Sequence, residues 1–124
     1  MKKLLIISLL AILAGCYYDN EEELYPNVPD CDTTNVTYSG TIWPIISSNC
    51  TSCHSGSAPQ GNRHLDDYAS ISAAALVQAG QPGSLYGAIS HHPDNSPMPK
   101  NGTKLSDCKI AQVKAWIDAG APNN

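Results

Sequence analysis

Cys50-Thr51-Ser52-Cys53-His54 constrains this chain more than any other stretch, because three residues of unusual chemistry stand at a spacing that one prosthetic group demands. Two thiols three positions apart, on one turn of helix, can add to the two vinyl groups of a haem. The histidine directly after the second thiol then lies under the iron and can ligate it. Two covalent bonds and one coordinate bond converge on five residues. A chain that carries such a site folds around the group it holds.

Other uses of the pentapeptide need company that the chain lacks. A structural zinc site calls for a second close pair of Cys or His ligands, whereas Cys31 and Cys108 are single residues far apart in sequence. A dithiol redox motif calls for a βαβ context, and no run here reads as a buried parallel strand. The remaining alternative is a chance CxxCH closed by an ordinary disulfide.

With 124 residues there is room for one small domain. Phe is absent and Gly and Pro number nine each, so side chains alone bury little apolar surface in so small a unit. A buried haem would supply much of the missing core. The five cysteines divide into Cys16 near the N-terminus, Cys50 and Cys53 in the motif, and Cys31 with Cys108 left over. If the motif holds haem and Cys16 is processed, one intramolecular disulfide remains possible, Cys31 to Cys108, in an oxidising compartment. Two buried free thiols are the alternative.

Residues 1–15 have the shape of a signal peptide, with Lys2-Lys3 followed by an apolar run from Leu4 to Leu13 that is short for a membrane span. Leu13-Ala14-Gly15-Cys16 resembles a bacterial lipobox, in which Cys16 becomes the lipidated N-terminus. An uncleaved anchor is the alternative. Residues 16–30 read as an acidic tether: Asp19, Glu21, Glu22, Glu23 and Asp30 are five of the eleven acids. The acidic stretch after the cysteine is also similar to the surface-export signal of Bacteroidetes lipoproteins. From Cys31 to Asn124 the charge is close to balanced, so the net negative charge belongs mostly to the tether.

Within residues 31–124, Thr41 is placed to cap a short helix that starts near Trp43, admits Pro44 in its first turn and runs into Cys50. Ile42, Trp43, Ile45 and Ile46 are its packing residues. A polar loop follows His54, and a carbonyl near Ala58 or Pro59 is the candidate acceptor for the second ring nitrogen of that histidine. Arg63 is a candidate partner for a haem propionate, and His64 reads as a surface residue. Asp66 or Asp67 then caps a helix through Tyr68, Ile71, Ala75 and Leu76. Ser84 caps a shorter one over Leu85 to Ser90.

The loop from His91 to Gly102 contains three prolines and almost nothing that packs. Met98 sits between Pro97 and Pro99, and apart from Met1 it is the chain's one methionine. A lone thioether held between prolines makes poor core filler and a good second axial ligand for iron. His91, His92 and His64 compete for that role, since imidazole also binds haem iron.

The last helix is expected from Ser106 as N-cap to Gly120 as stop. Leu105 and Ile110 form a hydrophobic staple, and Asp107 suits the positive end of the dipole. Ile110, Val113 and Ile117 make the apolar stripe, with Trp116 beside it. Lys100, Lys104, Lys109 and Lys114 form either a docking patch near the haem edge or a solvated face.

Taken together, the CxxCH after a short helix, the proline-flanked Met98 and a final helix ending Trp116-Ile117-Asp118-Ala119-Gly120-Ala121 resemble the class I c-type cytochromes. The closer resemblance is to the small monohaem, planctomycete-type cytochrome c domains of exported bacterial proteins, and it runs from about Ile42 to Pro122. It implies an all-α fold of three to four short helices around one covalently attached haem c. In that arrangement Cys50 and Cys53 are the thioether anchors, His54 the proximal ligand and Met98 the distal one. Pro44, which shortens the first helix, and the extra pair Cys31 and Cys108 depart from the commonest members.

Iron held on both axial sides has no open position for a substrate, so the expected activity is one-electron transfer and not enzymatic turnover. The expected partners are redox proteins of a respiratory or other exported electron-transfer chain, and the membrane through lipidated Cys16. No nucleic-acid binding is expected, and the domain reads as a monomer. The expected place is the periplasmic side of a bacterial membrane, or the outer membrane and cell surface. Two rival readings remain: a haem sensor or peroxidase-like enzyme in which Met98 is displaceable, and a haem-bearing assembly module of a surface complex.

Overall fold

The structure is a computed structural model that describes residues 31–124. The expected signal peptide, the lipidated Cys16 and the acidic tether lie outside the described residues.

A π-helical turn, Tyr38–Ile42, runs directly into α1 (Trp43–Asn49). A 3-10 turn at Gln60–Asn62 is followed by α2 (Tyr68–Ala75), α3 (Leu85–Ser90) and α4 (Asp107–Asp118). The described residues are therefore helices and loops, with no strand among them. No helix there is long and apolar enough to cross a membrane.

Local chemistry accounts for most helix starts. Asp67 accepts from the Ser70 N–H at 2.8 Å, Ser84 from Gly87 at 3.0 Å and Ser106 from Lys109 at 3.4 Å, so each side chain satisfies a donor that the first turn leaves without a partner. Pro44 occupies the first turn of α1, where its missing N–H costs nothing. Thr41 caps nothing, because helical winding begins earlier. Thr37 is the cap, accepting from the Gly40 N–H at 3.1 Å. Two further donors of that turn are met from the far end of the chain: Tyr38 N–H donates to Asn124 Oδ1 at 2.8 Å and Ser39 N–H to Asn124 O at 2.9 Å.

The core gathers Ile42, Ile45 and Ile46 before the motif, Ile71, Ala74 and Ala75 of α2, Leu85 and Ile89 of α3, and Ile110, Val113 and Trp116 of α4. α4 packs on the Tyr38–Ile42 turn and on α3, and α2 packs on α3. The buried stripe of α4 runs through Trp116, which is fully buried, while Ile117 lies at its half-buried edge. Trp116 reaches inward because its indole N–H finds the Pro122 carbonyl at 2.9 Å. Leu76, expected on the inner face of α2, is the α2 C-cap and is 62% exposed. Tyr38 packs edge-on to Tyr68, ring centroids 5.0 Å apart, and the Tyr68 hydroxyl donates to Ala121 O at 2.8 Å. The last four residues are thus tied to both α2 and the turn before α1.

Cys31 and Cys108 come together with Cα atoms 5.5 Å apart, a separation that a disulfide bridge spans. Gln112 Nε2 donates to Asp32 O at 3.1 Å, so α4 holds the first described residues at two points.

Candidate cofactor site

The three motif residues occupy one tight turn at the end of α1. The Cys50 N–H donates to Ile46 O at 2.8 Å, closing the helix. The Cys50 carbonyl then accepts from both Cys53 N–H (3.1 Å) and His54 N–H (3.0 Å). This winds the two thiols and the imidazole into a single turn, as the spacing requires. Cys50 is half-buried beside the core and Cys53 is exposed; neither is in a disulfide. Burial pushes the Cys50 thiol up to about 11, since the anionic form loses its hydration there.

His54 is oriented from behind. Its Nδ1 lies 3.2 Å from the carbonyl oxygen of Arg63. A neutral ring that donates from Nδ1 leaves Nε2 with its lone pair available for a metal. The acceptor was expected at Ala58 or Pro59. The chain instead turns back through Gln60–Asn62, with Gln60 N–H donating to Cys53 O at 2.8 Å and Leu65 N–H to His54 O at 2.7 Å. That reversal brings residue 63 to the ring.

Met98 lies on the loop after α3. Its N–H donates to Ala88 O at 3.0 Å, and its carbonyl is 3.1 Å from His91 Nε2. The loop is clipped again by Asn95, whose side chain accepts from Gly80 N–H at 2.7 Å and donates to Gln81 O at 2.8 Å. Gly87 permits this: a Cβ there would run into the Asn95 carboxamide.

Cys50, Cys53, His54 and Met98 all line one cavity of about 780 Å³, with apolar Leu65, Ala74, Leu85, Ile89 and Leu105 and polar Asn49, Gln60, Asn95 and Asn101 also on its lining. Its volume falls within the roughly 300–1,000 Å³ usual for a cofactor site. Of the four candidates for the second axial position only Met98 lines it; His64, His91 and His92 do not. His64 lies beside Asp66 at 3.6 Å and His92 beside Asp94 at 3.8 Å. The donor set suits a haem: two thiols on one turn, an imidazole with Nδ1 engaged, and a thioether on the lining of the same cavity. Among the described residues no three His, Cys, Asp or Glu side chains gather to hold a bare metal ion, and a haem iron needs only two protein ligands.

The charged residues lining the cavity are Arg63 and Lys100, both cationic. The four lysines do not form one uncompensated patch. Lys104 lies 3.9 Å from Asp107 and Lys114 2.7 Å from Asp118. Hydrogen bonding to Asp118 raises the Lys114 ammonium above its ordinary value.

The loop clamp formed by His91, Asn95 and Gly87 was not anticipated from the sequence. His91 carried a faint signal, since it follows a short helix that lacks the usual glycine stop. Asn95 carried none, because its partners are main-chain groups 14 and 15 positions away. Comparison with protein-family models, with curated proteins and with solved structures found no match.

Proposed function

We propose that the domain is a monohaem electron carrier of the class I cytochrome c type, with one haem c bonded to Cys50 and Cys53 and its iron held between His54 and Met98. The observation that carries this reading is that those four residues, His54 and Met98 being 44 positions apart, line one cavity.

The bound group supplies a one-electron iron couple. The chain's residues do the rest. Arg63 O, 3.2 Å from Nδ1, orients the His54 ring, and the tautomer that donates from Nδ1 would leave the Nε2 lone pair for iron. Met98, on the cavity lining, would supply the second protein ligand to the iron, which would deny small ligands a free position. Leu65, Leu85, Ile89 and Leu105 keep water from the cavity floor, and exclusion of water stabilises the less charged state of the centre. Cys53, at the exposed edge, marks where an electron would enter or leave. By the same reading Cys16 carries the lipid that tethers the domain outside the cytoplasm, where redox proteins of an exported chain are its partners.

The test is an absorption spectrum of the protein exported through a competent haem-attachment system. A low-spin c-type spectrum with a methionine–iron charge-transfer band is expected. In Cys50→Ala/Cys53→Ala, haem should separate from the polypeptide on denaturation. A colourless wild type would sink the reading.

A further inference from the structure

α3 ends at His91 in the left-handed region, φ 62° and ψ 44°, where glycine is the usual occupant because any Cβ crowds the backbone. The His91 side chain is exposed, so burial does not offset that cost. Its ring makes one hydrogen bond, from Nε2 to the Met98 carbonyl at 3.1 Å. The Met98 N–H donates to Ala88 O in the same helix at 3.0 Å. Both polar groups of the Met98 main chain are therefore tied to the last turn of α3, and Ala88 and Ile89 of that turn line the cavity. Pro97 and Pro99 have no N–H of their own, so the peptide groups flanking Met98 offer no alternative donor.

We propose that His91 is a positioning residue for the axial thioether: by donating Nε2–H to the Met98 carbonyl it anchors the loop to α3 and holds the Met98 side chain over the cavity. The proposal rests on the haem reading above. His91 touches neither the cavity nor iron; it acts through Met98, and removing it raises the chance that Met98 leaves the iron.

The experiment compares wild type, His91→Gly and His91→Gln as ferric haem proteins, titrated with cyanide, which must displace Met98 to bind. His91→Gly suits the left-handed backbone while deleting the ring, so thermal stability should equal or exceed that of wild type. Its cyanide affinity should nevertheless rise about fivefold, the equivalent of one net hydrogen bond of about 1 kcal/mol, and its methionine–iron band should weaken. His91→Gln keeps an N–H donor of similar reach and should restore both towards wild type. Unchanged cyanide affinity in His91→Gly overturns the proposal, and so does a rise that His91→Gln fails to reverse. A wild type without haem overturns this proposal and the functional reading together. A wild type with haem but no methionine–iron band overturns the His91 role and leaves haem attachment standing.

Discussion

His54 Nδ1 and the Arg63 carbonyl oxygen stand 3.2 Å apart, so the ring of the motif histidine is held by a main-chain group nine positions later. The acceptor being main chain, Arg63→Ala should leave the low-spin spectrum intact. The Arg63 guanidinium lies against Gly83 and lines the cavity. In the proposed haem protein its loss would remove a cation that disfavours oxidised iron, so the reduction potential should fall. Redox titration checks the direction, and a high-spin spectrum in Arg63→Ala would show that the side chain, not the carbonyl, positions His54.

Met98→Ala should open one axial side. Reduced wild type is expected to resist carbon monoxide at neutral pH, and the variant to bind it, with a shift in the Soret band as the readout. If wild type binds carbon monoxide as readily as the variant, the sensor or peroxidase-like reading replaces the carrier.

Gly87→Ala should displace Asn95, because the added methyl meets the Asn95 carboxamide inside a buried turn of α3. Overpacking of this kind costs about 1–3 kcal/mol. The loop of Met98 loosens with it, since Asn95 ties that loop to Gly80 and Gln81. A denaturant melt with no shift in midpoint would refute the close approach.

Cys31→Ala/Cys108→Ala should lower stability by about 2–4 kcal/mol, because the bridge spans 77 positions and closes a long loop. Equilibrium unfolding of the oxidised protein against the variant measures it. Equal stabilities, with two free thiols counted in the wild type, would remove the bridge from the account.

The Asp32 carboxyl is held well below its ordinary value. The Thr34 hydroxyl, at 2.7 Å from Oδ1, lowers it most, followed by the Thr34 N–H and the Asn35 side chain, and together they hold it at about 2. The folded value lies below the unfolded one of about 3.9, so the turn's contribution to stability is complete above that pH and is lost as pH falls towards 2. Thr34→Val should move the midpoint upward. Carboxyl-carbon NMR of Asp32 reads it, and a wild-type midpoint near 4 would contradict the turn.

The local parts of the molecule were legible in the order of residues. Ser84, Ser106 and Asp67 cap helices because each stands immediately before a segment whose first amides lack partners, and a short polar side chain reaches them without help from elsewhere. The caps that were missed depend on distance. Thr41 yielded to Thr37 once Asn124, 86 positions from Tyr38, supplied the acceptors that let the turn begin earlier. Trp116 took the centre of the α4 stripe from Ile117 because a carbonyl beyond the helix end received its indole N–H.

By itself the sequence determined which residues can do chemistry and which short segments wind into helices, because thiol, imidazole and thioether reactivity and helix capping are properties of a residue and its near neighbours. It named Cys50, Cys53, His54 and Met98, and only the resemblance implied that they meet at one group; the shared cavity is a tertiary feature. Tertiary structure decided that, and also chose Met98 over three histidines for the cavity wall, Arg63 as the carbonyl behind His54, and His91 as the anchor of the opposite loop. Each of those choices depends on main-chain groups brought together by packing and chain reversal, and a main-chain carbonyl leaves no mark in a sequence.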